Sequence, residues 1–262
     1  MLPVLFRIGP LRVESYYVIW GLALAAMVIW TRSRAEKRYA MDFNDVTGVL
    51  QWVMAGVLVG ATAGGYIDNW SRYAESPIRI LYIWESGLSS GPGFIGGGLA
   101  GLYKLRKLSL SVNNFAEAAS VPCALLLFVG RWGCFLNGCC QGIATNSPLG
   151  VRFLRDRLTP VYPTQLFESF AALAIGICLW IAERKMARTP EESSRGALLW
   201  PSFLMSYGLY RVAADFLRSG DRIFGLRVGQ YTGGLAFVVG VAWMAVSLKN
   251  IRLAEDGRSA GV

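Results

Sequence analysis

The densest chemistry in the sequence lies between Tyr207 and Arg218. Tyr207, Arg211, Asp215 and Arg218 recur at i, i+4, i+8 and i+11, which puts a phenol, two guanidiniums and a carboxylate on one face of a helix. Their neighbours are apolar. An ionisable group inside a membrane-spanning helix costs on the order of 2.5 to 3.5 kcal/mol, so such a face needs partners or an anionic ligand. It reads either as an internal ion ladder in which Asp215 neutralises Arg211 or Arg218, or as a polar wall lining a lipid-accessible cavity. Arg131 is a third guanidinium in apolar surroundings, and Gln165 with Glu168, at i and i+3, supplies a second polar edge. Glu117 precedes Arg131 by about four helical turns, about 21 Å at the helical rise, so the two do not pair. A planar guanidinium fork matches phosphate oxygens, and anion binding is the chemistry these residues suit.

Other chemistry is excluded by composition. The 262 residues include no histidine, which removes His-carboxylate triads, His-ligated zinc and imidazole proton relays. Cys123, Cys134, Cys139, Cys140 and Cys178 lie in or beside apolar runs, and their odd number does not suit a closed disulfide framework. The C-x4-C-C spacing lacks the paired C-x2-C arms of a zinc ribbon; buried inert thiols are expected, with no metal and no other cofactor. The net charge of +9 comes from short basic clusters between apolar segments, which points to anionic membrane lipid and not to nucleic acid.

The elements that must carry these residues follow from hydrophobicity. With 54% hydrophobic and 16% charged residues the chain is a membrane protein by composition. Seven apolar runs stand out, roughly 16 to 31, 47 to 67, 92 to 103, 115 to 136, 165 to 182, 197 to 217 and 228 to 248. The third is the shortest, opens at Gly91-Pro92-Gly93 and is filled by Gly96, Gly97, Gly98 and Gly101, which permit close helix packing or the approach of a ligand. Tyr16 and Tyr17 open the first run, where interfacial aromatics are common, and Pro160 and Pro163 precede the fifth. The expected fold is all-α and polytopic: one domain over 1–262, seven transmembrane helices around a lipid-accessible polar cavity, and outer loops forming a small head. No cleavable signal peptide is expected, because Arg12 and Glu14 precede the first apolar run.

Lysines and arginines near the run ends set the orientation. The segments 32 to 46, 104 to 114 and 183 to 196 and the C-terminal tail carry 14 of them. The opposite side carries ten, all arginine: Arg7, Arg12, Arg72, Arg79, Arg152, Arg155, Arg157, Arg218, Arg222 and Arg227. The bias places the C-terminus in the cytoplasm and the N-terminus outside it.

Several of these motifs, in order, resemble one family. Gly130-Arg131-x-Gly133-x-Phe135-x-Asn137-Gly138-x-x-x-Gly142 is similar to the signature of prolipoprotein diacylglyceryl transferases. Ile8-Gly9-Pro10 with Tyr16, Pro163-x-Gln165-Leu166-Phe167-Glu168, Tyr207-Gly208-x-x-Arg211-x-x-x-Asp215-Phe216-x-Arg218 and Gly229-Gln230 resemble further motifs along nearly the whole chain. The resemblance implies an enzyme of the bacterial inner membrane, with a periplasmic N-terminus, that moves the diacylglyceryl group of phosphatidylglycerol to the lipobox cysteine of a prolipoprotein signal peptide and releases glycerol phosphate. It implies catalytic roles for Arg131, Arg211 and Tyr207. It implies substrate contacts for Tyr16, Gly96, Gly97, Glu117, Asn137, Gly142, Gln165, Glu168, Asp215 and Arg218.

The chain also departs from that family's pattern. Members often have a histidine before the glycine pair of the third run, a candidate base for the acceptor thiol; here the stretch reads Phe94-Ile95-Gly96-Gly97-Gly98-Leu99. Tyr162 stands where histidine is common, Cys134 where asparagine is common, and Cys139 where some members have glutamate. Ile95 is expected to sit in apolar packing, so the thiol proton would pass to Tyr207, Glu168 or the substrate phosphate. Two rival functions remain: a paralogue with another lipid-transfer or lipid-binding task, and a membrane thiol oxidoreductase built on Cys134, Cys139 and Cys140.

Overall fold

The computed structural model describes residues 3–9, 11–68, 70–76, 78, 89–153, 156–186, 188–219 and 225–259; Pro10, Arg79, Arg155 and Arg222 lie outside them. Helix occupies each of the seven apolar stretches. The long helices are α1 (Ser15–Tyr39), α2 (Phe43–Asp68), α4 (Ser90–Lys107), α5 (Val112–Asn137), α6 (Thr164–Met186), α8 (Leu199–Ala214) and α9 (Val228–Ser259). Two short ones, α3 (Trp70–Glu75) and α7 (Pro190–Arg195), lie between them. By length and composition, the four helices α2, α5, α6 and α9 can cross a membrane. Of the other three, α8 has 16 residues, α4 is glycine-rich, and α1 mixes its apolar run with Tyr16, Tyr17, Trp20 and Trp30.

The chain is not all-α. An antiparallel hairpin of β1 (Val4–Ile8) and β2 (Leu11–Glu14) leads into α1, and a second, β3 (Val151–Phe153) with β4 (Asp156–Val161), lies between α5 and α6. Both are short and outside the apolar runs, so hydrophobicity gave no sign of them. A 3-10 turn, Asp215–Leu217, ends α8 and brings Arg218 into an antiparallel bridge with Gly142.

Small residues set the helix contacts. On α5, a Cβ at Gly130 would lie 2.7 Å from the Trp20 ring, and one at Gly133 3.3 Å from the Tyr16 carbonyl, so these glycines let α5 close on α1. A Cβ at Gly96 would lie 2.3 Å from the Gly56 carbonyl, and one at Gly97 2.5 Å from Val57, so both belong to the α2–α4 seam. Gly208 of α8 faces Gly233 of α9 in the same way.

At the end of the helices away from the hairpins, Arg34 locks α1 to α5 and α6. Its two Nη atoms donate to the Glu183 carboxylate at 2.7 Å each, its Nε donates to the Ala118 carbonyl at 2.9 Å, and Tyr39 donates to Glu183 at 2.8 Å. Arg34 and Glu183 are buried, and their charges are met by fork geometry and added hydrogen bonds, the condition under which a buried pair is tolerated.

Candidate active site

A second buried Arg–Glu cluster, at the hairpin end, is arranged differently. Glu168, in the first turns of α6, is 1% exposed. Its Oε1 accepts from Arg131 Nη2 of α5 at 2.5 Å and from the Tyr207 hydroxyl of α8 at 2.5 Å. Its Oε2 lies 3.3 Å from Arg218 Nη2 and 3.6 Å from Arg211 Nη1, close enough to attract but without a hydrogen bond. Asp215 Oδ1 stands 3.3 Å from Arg211 Nη1. Three guanidiniums thus face two carboxylates, a net charge of about +1 if all are ionised.

The contrast with Arg34 lies in the donors left unpaired. Arg131 Nε, Arg211 Nη1 and Arg218 Nε and Nη2 are buried and have no hydrogen-bond acceptor among the described residues, as is also true of the Tyr210 hydroxyl. A buried donor left unpaired costs about 1 to 3 kcal/mol, and more if charged. Four such atoms on three converging guanidiniums are a poor structural lock and a good cradle for a multivalent oxygen anion.

Several devices hold the cradle. Ser169 Oγ donates to the Phe128 carbonyl at 2.8 Å and fixes α6 beside α5. Gly142 donates its N–H to the Tyr162 carbonyl at 2.9 Å, and a Cβ there would lie 2.6 Å from the Leu217 carbonyl, so only glycine lets this loop make its bridge to Arg218. Gly229 leaves room for the acid–base pair on α8, since its Cβ would lie 2.5 Å from Asp215 Oδ1. Arg227 donates to the Asp215 carbonyl at 2.5 Å.

The end of α5 supplies one more group of donors. Gly138, at φ 73°, closes the helix with its N–H on the Phe135 carbonyl and the Cys139 N–H on the Cys134 carbonyl, both 3.2 Å. Arg131 Nη1 lies 3.9 Å from Cys134 Sγ. Thr164 Oγ1 and Gln165 Nε2 donate to the carbonyls of Cys140 and Cys139, at 2.9 and 2.6 Å. The sulfurs of Cys134, Cys139 and Cys140 all lie within 4.8 Å of one another. Cys139 Sγ donates to the Cys134 carbonyl at 3.7 Å.

The fold therefore gathers Arg131, Gln165, Glu168, Tyr207, Arg211, Asp215 and Arg218, with Gly142 as a strut. Tyr16, at the start of α1, meets α5 at Gly133, where its carbonyl would lie 3.3 Å from a Cβ. Asn137 ends α5, half-buried, with no side-chain hydrogen bond among the described residues. Glu117 is not in this group. Its Oε1 accepts the N–H groups of Leu198, Leu199 and Trp200 at 2.6, 2.6 and 3.3 Å, capping the positive N-terminus of α8. Gly96 and Gly97 serve the α2–α4 seam, and Ile95 is 56% exposed instead of packed. Sequence spacing missed Thr164, which reaches the site through a contact between elements, its hydroxyl donating to the Cys140 carbonyl, and Tyr210, whose ring stacks on Tyr207 one helical turn away.

Comparison with known proteins places this arrangement in context. The sequence pattern of the family described as prolipoprotein diacylglyceryl transferase matches residues 3–246. A phosphatidylglycerol–prolipoprotein diacylglyceryl transferase of Geobacter sulfurreducens is 31% identical over 234 residues, 88% of each chain. One of the same name from Francisella tularensis subsp. novicida is 31% identical over 227 residues, 85% of this chain and 82% of its own.

Proposed function

The chain belongs to the prolipoprotein diacylglyceryl transferase family, and from that premise we propose that it transfers the diacylglyceryl group of phosphatidylglycerol to the cysteine thiol of prolipoproteins. The observation that carries the reading is the set of unpaired guanidinium donors on Arg131, Arg211 and Arg218 around Glu168. They offer charged N–H groups to the phosphate of an anionic lipid entering a polar cavity from the bilayer.

In the reaction the acceptor sulfur bonds to the terminal glycerol carbon of the diacylglyceryl group. The carbon–oxygen bond to phosphate breaks, and its electron pair stays on glycerol phosphate. Negative charge therefore builds on the phosphate oxygen as the bond opens. Arg131 and Arg211 stabilise that charge, an effect largest where water is excluded. Glu168 holds Arg131 and Tyr207 in place through one oxygen, and Asp215 orients Arg211.

The remaining features take their places around this step. The seven helices span the inner membrane, with the hairpins, the α5–α6 connection and the arginine cluster at the periplasmic side. The acceptor is a lipobox cysteine in a signal peptide that reaches the site from the membrane. The experiment is complementation: expression in a bacterium conditionally depleted of its own transferase should restore growth and lipoprotein modification, whereas Arg131→Ala and Arg211→Ala should not. Growth without modified lipoproteins would favour the paralogue reading instead.

A further inference from the structure

The reaction needs a thiolate, and this chain has no histidine to make one. A free cysteine thiol, with a pKa near 8.5, is mostly protonated at neutral pH. The cysteine trio beside Arg131 bears on this. In the closing motif at the end of α5, the first and sixth residues touch, so Cys134 and Cys139, four residues apart in between, become neighbours in space. Cys140, at φ 60°, is in the left-handed region that non-glycine residues seldom adopt, and this turn puts its sulfur with the other two. From α6, Thr164 and Gln165 fasten the carbonyls of Cys140 and Cys139. Burial is graded: Cys134 is buried, Cys139 half-buried and Cys140 exposed, so the trio is closed on one side and open on the other.

We infer that Cys134, Cys139 and Cys140 bind a thiophilic divalent cation, zinc in the first place, whose fourth position takes the acceptor thiol. Zinc–thiolate bonds are about 2.3 Å, which in a tetrahedron puts sulfurs about 3.8 Å apart; sulfurs within 4.8 Å reach that by side-chain rotation. Three protein ligands with one open position is the arrangement of catalytic zinc sites, where structural sites are closed by a fourth ligand. The C-x4-C-C spacing gives no hint of it, because the third donor depends on the backbone turn at Cys140. The neighbouring guanidinium of Arg131, 3.9 Å from Cys134 Sγ, offsets the single negative charge of a dication with three thiolates.

The inference rests on the transferase reading and supplies its missing step. Each of the three protein thiols gives up its proton to solvent on binding the cation, and the acceptor thiol does the same in the fourth position. The bound acceptor sulfur then attacks the glycerol carbon. The C–S bond forms, the C–O bond breaks, and the electron pair leaves on the glycerol phosphate beside Arg131. The product thioether carries no charge, is a weaker ligand than a thiolate, and departs. No electron changes hands, so no oxidant is required.

The test uses the full chain in detergent, purified under a phosphine reductant. Elemental analysis should find about one zinc per chain, and cobalt(II) in its place should give thiolate-to-metal charge-transfer absorption. Cys134→Ser, Cys139→Ser and Cys140→Ser should each lower zinc affinity at least tenfold, and Cys178→Ser should not. A lipobox peptide should shift the cobalt d–d bands, and its Cys→Ser analogue should leave them alone. Absence of bound zinc and of the cobalt band in the wild-type protein overturns the inference without recourse to any variant, as does a disulfide within the trio under these conditions. Diacylglyceryl transfer is measured on the same samples. Transfer by metal-free protein overturns the zinc site and leaves the transferase reading intact; zinc-loaded protein that binds the peptide but transfers nothing overturns the transferase reading.

Discussion

Glu168 is the residue on which the site turns, since one buried carboxylate organises Arg131 of α5, Tyr207 and Arg211 of α8, and Arg218 just beyond the 3-10 turn. Removing its charge leaves three guanidiniums with the Asp215 carboxylate on Arg211 as their one remaining charge partner among the described residues, so Glu168→Gln should lose both stability and activity; truncating one partner of a buried pair typically costs about 3 to 5 kcal/mol. Arg131→Lys keeps the charge but has a single point of contact in place of a fork. Turnover should fall at least about tenfold, with a smaller change in apparent lipid affinity, because the contact tightens as phosphate charge develops. Near-normal turnover in steady-state kinetics of that variant would remove Arg131 from the leaving-group role. Ile95→His should bring no gain. Ile95 is exposed on α4, whose neighbouring glycines face α2, and nothing holds an imidazole there toward the arginine cluster. Initial rates at pH 7 and pH 8.5 check this, and a tenfold rise confined to pH 7 would show a site lacking only a base.

The helices were legible because apolar length is written in the sequence: a helix lies in each of the seven expected stretches, and four of them are long and apolar enough to cross a membrane. The one-face pattern Tyr207, Arg211, Asp215, Arg218 was equally plain, since helical period alone generates it, although the 3-10 turn at Asp215 carries Arg218 off the helix. What spacing could not give was pairing between elements. Glu168 is 37 residues from Arg131 and 39 from Tyr207, and no local rule joins them. Glu117 shows the opposite error: an acid in an apolar helix resembles a substrate ligand, yet its partners are three backbone N–H groups at the start of α8. Glu117→Ala should therefore lower stability by about 1 to 3 kcal/mol, while the folded fraction keeps its affinity for phosphatidylglycerol. Thermal unfolding and kinetics on the same preparation separate the two roles, and a raised lipid KM with unchanged melting would return Glu117 to the substrate. Gly96→Val should separate α4 from α2, because the added carbons meet the Gly56 carbonyl. Its expected signature is a lower melting temperature.

For the molecule as a whole, the two Arg–Glu clusters sit at opposite ends of the helices and are paired in opposite ways. The Arg34–Glu183 end is saturated with hydrogen bonds and ties α1, α5 and α6 together; the Glu168 end keeps donors in reserve. In the orientation we propose from the basic bias of 14 to ten residues, the saturated end faces the cytoplasm. A reporter fused after Arg188 should behave as cytoplasmic and one inserted at Pro148 as periplasmic; reversal of both would invert the orientation. The most direct measurement is transfer of labelled diacylglyceryl from phosphatidylglycerol to a lipobox peptide by the purified protein, with Arg211→Ala beside it. The expected result is a labelled thioether on the peptide cysteine, stoichiometric release of glycerol phosphate, and a loss of at least about a hundredfold in Arg211→Ala, the scale of losing one donor that stabilises transition-state charge. No thioether from a folded, lipid-supplied wild-type protein, or equal transfer by Arg211→Ala, would contradict it.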